Sequence, residues 1–321
     1  MITTRIIGTG SYVPEQIVTN DDLAKIVETN DEWIRTRTGI RQRRIATEEG
    51  TSNMAAEAAG RALQQAGISP EEVDLILLAT SSPDFCFPNG ASEVQAKIGA
   101  QNAVCFDISA ACTGFVFALN TAHAYISAGI YKTALVIGSD VLSKLIDWTD
   151  RGTCVLFGDG AGAAVVQASE TGILGLKMHA DGKKGGVLAC GSRTNGNFLM
   201  GKKPEMSYMT MDGQEVFKFA VKKVPEVISE LLEETGTPMD EIKYFVLHQA
   251  NYRIIESVAK RLKAGLERFP ANMDRYGNTS GASVPLLLDE MNREGLLKPG
   301  DKIILSGFGG GLTWGATLVQ W

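Results

Sequence analysis

Apolar positions fall in two alternating rhythms along this chain. Residues 74–80, Asp-Leu-Ile-Leu-Leu-Ala-Thr, form an unbroken apolar run of strand length, and an Ala-rich stretch of helical period precedes them over 53–66. A run that is apolar at successive positions predicts a strand covered on both faces. The alternation continues with a helix over 91–98, a strand over 103–108, a long apolar helix over 112–128 and a strand over 133–138. Residues 153–157 and 161–168 read as two further strands joined at Gly158-Asp159-Gly160, a hairpin signal. A first strand follows Met1-Ile2-Thr3-Thr4-Arg5.

A second series begins after Gly172. It runs through a strand near 173–179, a glycine-rich loop, a helix over 214–234, a strand over 242–248, helices over 252–264 and 282–293, and strands over 302–306 and 312–319. The order echoes the first series. Strands alternating with helices predict parallel sheets faced by helices, so the chain reads as an α/β protein of two halves, 1–171 and 172–321. Each half would be a βαβαβαββ unit, and the pair would stack in five layers, αβαβα, although no literal repeat is visible.

Composition narrows the function. Charged residues are 21% and apolar residues 44% of 321, which is globular rather than disordered. No window approaches the roughly 18 uncharged apolar residues of a membrane helix, and the N-terminus lacks a secretory signal, so a cytoplasmic protein is expected. With 31 basic against 37 acidic residues the net charge is −6, which offers no general attraction to nucleic acid. The five cysteines, Cys86, Cys105, Cys112, Cys154 and Cys190, are odd in number and contain no C-x-x-C pair, so neither disulfides nor a zinc site is expected. Most of them read as buried packing residues.

The glycine motifs mostly fail as cofactor loops. Gly158-Asp159-Gly160-Ala161-Gly162-Ala163 fits a loose dinucleotide pattern, but Ala164-Val165-Val166 predicts a strand where that motif requires a helix. No phosphate loop is present. Gly309-Gly310-Gly311 follows an apolar strand and would let backbone N–H groups approach a ligand closely, which matters only beside a nucleophile.

Cys112 offers one. It sits just past a buried strand and at the head of the long apolar helix, where unpaired N–H groups and the helix dipole favour thiolate and can lower a cysteine pKa from ~8.5 toward ~3.5–7.5. The other cysteines lack such a setting. Of three histidines, His123 lies within a helix and His179 opens a turn, whereas His248 ends a buried strand, where catalytic groups of α/β sheets gather. Asn278, in Gly277-Asn278-Thr279-Ser280, would ordinarily cap a turn, but in the duplicated layout it leads the helix corresponding to the one Cys112 starts. The two helix heads are therefore expected to face each other.

These residues carry a resemblance. The segments Gly8-Thr9-Gly10-Ser11-Tyr12, Asp31-Glu32-Trp33-Ile34, the Cys112 segment, Asp150-Arg151-Gly152-Thr153, His248-Gln249-Ala250-Asn251, Gly277-Asn278-Thr279-Ser280 and Phe308-Gly309-Gly310-Gly311 are similar to those of the β-ketoacyl-[acyl-carrier-protein] synthase III family, the initiating condensing enzymes of bacterial fatty acid synthesis, which have the thiolase fold. The resemblance spans essentially the whole chain. It implies that Cys112 is acylated, that His248 and Asn278 donate to the thioester carbonyl of a malonyl substrate, and that the N–H groups of Cys112 and Gly310 form an oxyanion hole. It implies that Trp33 and Arg151 sandwich the coenzyme A adenine, with Thr29, Arg37, Gly152, Ala250 and Asn251 along the same tunnel. Phe87 would enter the acyl pocket of a partner subunit, itself lined by Leu142, Phe157 and Phe217, which makes the protein a homodimer.

The implied reaction joins an acyl-CoA primer, acetyl-CoA above all, to malonyl-[acyl-carrier protein] with loss of CO2. Acyl-CoA is then a substrate, and no metal or cofactor is expected. Elongating synthases place a second histidine where Asn278 stands, and thiolases need a second cysteine near the C-terminus, absent after Cys190. Arg253, Lys260 and Arg261 could form a basic helix face for the acidic carrier protein. A related synthase of specialised metabolism, a cysteine hydrolase and a non-catalytic acyl-CoA binder are the rival readings. The 191–204 loop looks longer than usual in the family, which leaves primer length open.

Overall fold

The structure is a computed structural model that describes residues 2–321. The first half is built from β1 (Thr3–Tyr12), α1 (Asp31–Thr38), α2 (Thr51–Ala66), β2 (Leu75–Ala79), α3 (Gly90–Ile98), β3 (Val104–Ile108), α4 (Gly114–Ser127), β4 (Thr133–Asp140) and β5 (Gly160–Ser169). The second contains β6 (Ile173–Ala180), α5 (Gly213–Thr235), β7 (Ile242–Leu247), α6 (Tyr252–Leu262), α7 (Ser283–Arg293), β8 (Lys302–Gly309) and β9 (Thr313–Gln320). Small two-stranded ribbons pair 17–19 with 42–44 and 188–190 with 209–211.

The five strands of the first sheet run β1-β5-β4-β2-β3, and the four of the second run β6-β9-β8-β7. Strand for strand the senses agree: the first two pairs of each sheet are antiparallel and the third is parallel. The second half lacks only a counterpart of β3. Its chain there is Phe269-Pro270-Ala271-Asn272, in which Pro270 has no N–H to give a ladder and the Asn272 N–H goes to Gln249 Oε1 at 3.1 Å.

β2 and β4 are buried along their whole length because helices cover both faces. α4 and α7 lie between the sheets and touch strands of both, while α2 and α3 cover the outside of the first sheet and α5 packs outside the second. This is the five-layered αβαβα arrangement that the alternation of patterns predicts.

One expected hairpin is absent. Residues 153–157 are not a strand, and β5 pairs instead with β1 and β4. The Asp150 carboxylate turns the chain by accepting from the Gly152 N–H at 2.8 Å and the Thr153 hydroxyl at 2.7 Å. The Val155 carbonyl then receives the fully buried Arg43 guanidinium at 2.7 Å. Gly158 is a glycine because a Cβ there would collide with the Tyr276 carbonyl, not because the chain reverses. The cysteines also depart from expectation: Cys112 and Cys154 are buried, but Cys86 and Cys190 are exposed.

Candidate active site

Two matching turns meet at the centre of the molecule. Residues 111–113 make one turn of 3₁₀ helix before α4, and residues 280–282 make the same turn before α7, the two packed against each other. Each opens on a non-glycine residue in the left-handed region, Ala111 at φ +45° and Ser280 at φ +51°. Such a conformation costs about 1–3 kcal/mol and persists only where its surroundings fix it. The strain lifts Cys112 off the end of its helix. Gly309 lies so close that a Cβ on it would stand 2.8 Å from the Cys112 nitrogen, so any larger residue would push Cys112 away. Thr113 ties the same turn to the glycine loop through its hydroxyl, 2.9 Å from that of Thr313.

Cys112, His248 and Asn278 line one cavity of about 120 Å³, together with Phe217, Ala250 and Asn251. The two donors are oriented by their neighbours. Asn278 Oδ1 accepts the Ser280 N–H at 2.9 Å, which makes the amide NH2 the free end. His248 Nδ1 is 2.6 Å from the Ser283 hydroxyl, and Ser283 Oγ already accepts the Gln249 N–H at 3.4 Å. When the hydroxyl donates to Nδ1 the ring proton sits on Nε2, the tautomer that can donate away from Ser283. Burial pushes the His248 pKa down to about 3, so the ring is neutral.

The thiol does not follow the sequence expectation. Burial, with the Asp140 carboxylate adding to it, pushes Cys112 up to about 12, while the Ser280 hydroxyl works against the rise. The helix-end argument left out the loss of water and the buried carboxylate, and both favour the neutral thiol.

A second cavity of about 380 Å³ opens on the other side of Cys112, lined by Leu142, Leu145, Phe157, Met209, Cys190 and Gly310 among others. Leu142 borders it, Phe157 borders both cavities, and Phe217 borders the cavity of His248. Phe87 lines neither and is 86% exposed.

Trp33, on α1, carries Arg37 and Arg151 over its ring with guanidinium carbons 4.6 and 4.9 Å from the centroid. Arg151 also donates to the Glu28 carbonyl at 2.9 Å. An inserted base would have to displace Arg151 from the indole. Thr29 Oγ1, in the same neighbourhood, is buried without a partner. The Gly152 N–H is already taken by Asp150, and Asn251 Oδ1 caps α6 by accepting the Arg253 N–H at 2.9 Å. α1 packs on α6, whose exposed Arg253 lies over the ring of Phe217 at 5.8 Å, so the clamp and the basic face stand together beside the cavity. Lys260 and Arg261 are exposed on the same helix. Among the described residues no cluster of metal-ligating side chains occurs.

Sequence reasoning missed Asp140, Ser280 and Ser283, which hold the reactive groups in place. The small polar run from Asn278 to Ser283 was the only signal, and it reads as an ordinary cap.

A family model described as 3-oxoacyl-[acyl-carrier-protein (ACP)] synthase III matches residues 106–182, and one described as the C-terminal part of the same synthase matches 232–321. A beta-ketoacyl-[acyl-carrier-protein] synthase III of Clostridium acetobutylicum is 54% identical over 323 residues, spanning 100% of this chain and 99% of the relative. The crystal structure of 3-oxoacyl-[acyl-carrier-protein] synthase III from Aquifex aeolicus VF5 aligns with TM-score 0.92 and 48% identity over 99% of this chain and 100% of that one. The priming beta-ketosynthase of the R1128 polyketide biosynthetic pathway aligns with TM-score 0.91 and 37% identity, over 99% and 96%.

Proposed function

Because this chain belongs to the 3-oxoacyl-[acyl-carrier-protein] synthase III family, we propose that it starts fatty acid synthesis by condensing an acyl-CoA primer, acetyl-CoA first, with malonyl-[acyl-carrier protein]. The observation that carries the reading is the meeting of Cys112, His248 and Asn278 on one cavity, with the Asn278 NH2 as the free end of its amide.

In the first half-reaction Cys112 sulfur attacks the primer thioester. The oxyanion rests on the N–H groups of Cys112 and Gly310, and collapse expels the coenzyme A sulfur, which takes up the proton lost by Cys112. In the second, the malonyl carboxylate leaves as CO2 and its bonding electrons pass into an enolate. His248 Nε2–H and Asn278 Nδ2–H stabilise the enolate oxygen. The enolate carbon attacks the acyl group, and Cys112 leaves as a thiolate that recovers a proton from solvent. The thiolate of so weakly acidic a thiol is a ready proton acceptor at that point. Acyl-CoA and malonyl carrier supply every carbon of the products, and solvent supplies the one proton. The test is stoichiometry: with acetyl-CoA and malonyl carrier protein, CO2, coenzyme A and 3-oxoacyl carrier must appear one for one, and hydrolysis to free acid alone would exclude a synthase.

The stack on Trp33 supports its role as the adenine platform. Trp33→Ala is expected to raise the KM for acyl-CoA roughly tenfold with little change in kcat, since the ring binds ground and transition states alike. Arg253, beside Phe217, supports carrier docking. Arg253→Glu is expected to slow turnover of malonyl carrier protein about tenfold and to spare malonyl-CoA used as a surrogate, because reversed charge acts on carrier encounter alone.

A homodimer is proposed on the exposed apolar groups beside the free edge of the first sheet. β3 is one of that sheet's two edge strands, Val104 on it is 49% exposed, and Phe85 and Phe87 are exposed in the loop before α3. A cytoplasmic location is proposed from the five free thiols. Among the described residues no helix is long and apolar enough to cross a membrane.

A further inference from the structure

Asp140 ends β4 fully buried, and no step above uses it. A carboxylate so placed is costly unless donors surround it. Oδ1 accepts from the Ser81 N–H and the Ser82 hydroxyl, each at 2.8 Å, and from the Thr80 hydroxyl at 3.2 Å. Oδ2 accepts from the Gly281 N–H at 3.2 Å. Ser82 Oγ and Thr80 Oγ1 themselves accept from backbone N–H groups, of Val141 at 2.8 Å and of Ser82 at 3.1 Å, which directs their protons at Asp140. Burial pushes the Asp140 carboxyl up, and these donors work against the rise.

One of these donors, Gly281, belongs to the strained turn that faces Cys112. In the same turn the Ser280 N–H holds Asn278 Oδ1. We propose that Asp140 is a positioning residue for the site: by clamping the Ser280–Gly281 turn it fixes the aim of the Asn278 amide.

The inference rests on Asn278 being a donor to the malonyl thioester, and Asn278→Ala separates the two: if that variant decarboxylates normally the reading of Asn278 fails, and if only the Asp140 variants do the clamp fails.

The experiment compares malonyl thioester decarboxylation, which does not need the sulfur, with acetyl transfer from acetyl-CoA to Cys112 read by mass spectrometry, in the wild type, Asp140→Asn and Asp140→Glu. Decarboxylation is expected to fall about tenfold in Asp140→Asn as the Asn278 turn loosens, with acetyl transfer near the wild-type rate. Folding is checked by the melting temperature, and Asp140→Glu carries the test by itself if Asp140→Asn does not fold. Wild-type decarboxylation in folded variants, or an equal fall in both reactions, overturns the clamp.

Discussion

Cys112→Ala is expected to eliminate formation of 3-oxoacyl carrier protein from acetyl-CoA and malonyl carrier protein, a loss of roughly 10³-fold or more, because the variant has nothing to hold the primer. The change is small in every other respect. It removes one sulfur from the junction of two cavities, so stability should fall by only about 1 kcal/mol. His248 and Asn278 remain in place, each with its orienting partner on the 280–283 segment. The variant should therefore still release CO2 from malonyl carrier protein while forming no new carbon–carbon bond. Product measurement by chromatography with parallel CO2 capture distinguishes the two activities.

The second large effect belongs to the donors. His248→Ala and Asn278→Ala are each expected to slow decarboxylation roughly 10²–10³-fold, the usual cost of losing one fixed oxyanion donor. Primer transfer to Cys112 draws on a different oxyanion hole, so acyl-enzyme should accumulate in both variants. The acid side of the pH profile follows from the same histidine. Its folded pKa lies near 3, below the ordinary value of 6.5, so kcat should show no acid limb near pH 6.5 from His248. The unfolded chain does take up a proton there, which means that the unfolded state binds more protons and the contribution of this residue to stability declines as pH falls from about 6.5 toward 3. An imidazolium mechanism would instead lose activity on the alkaline side of 6.5.

Much of this site could be read before any coordinates. The apolar runs that become β2 and β4 are continuous because helices cover both faces, and that feature survives in sequence. The correspondence between the helix heads at Cys112 and Asn278 was legible from the order of elements, and the matched strain at Ala111 and Ser280 is its structural form. Residues 153–157 were misread for a definite reason. Their apolar, β-branched character suits a strand, but Asp150 caps a turn there and the buried Arg43 draws in the Val155 carbonyl. Partners more than a hundred residues away leave no local pattern.

Asp140 was hidden in the same way. At the end of a buried strand it looks like any polar residue closing a run, and only the fold shows four donors converging on it, one of them from the opposite half. The error over the Cys112 thiol has the same origin. A helix terminus is visible in sequence, whereas burial and a distant carboxylate are not, and here those two outweigh the dipole.

The most direct test is intact-protein mass spectrometry after brief exposure to acetyl-CoA alone, with peptide mapping of any adduct. A single acetyl group on Cys112, absent in Cys112→Ala and discharged on adding malonyl carrier protein as 3-oxoacyl carrier appears, is the expected result. An unmodified Cys112 while condensation proceeds at its normal rate would contradict it.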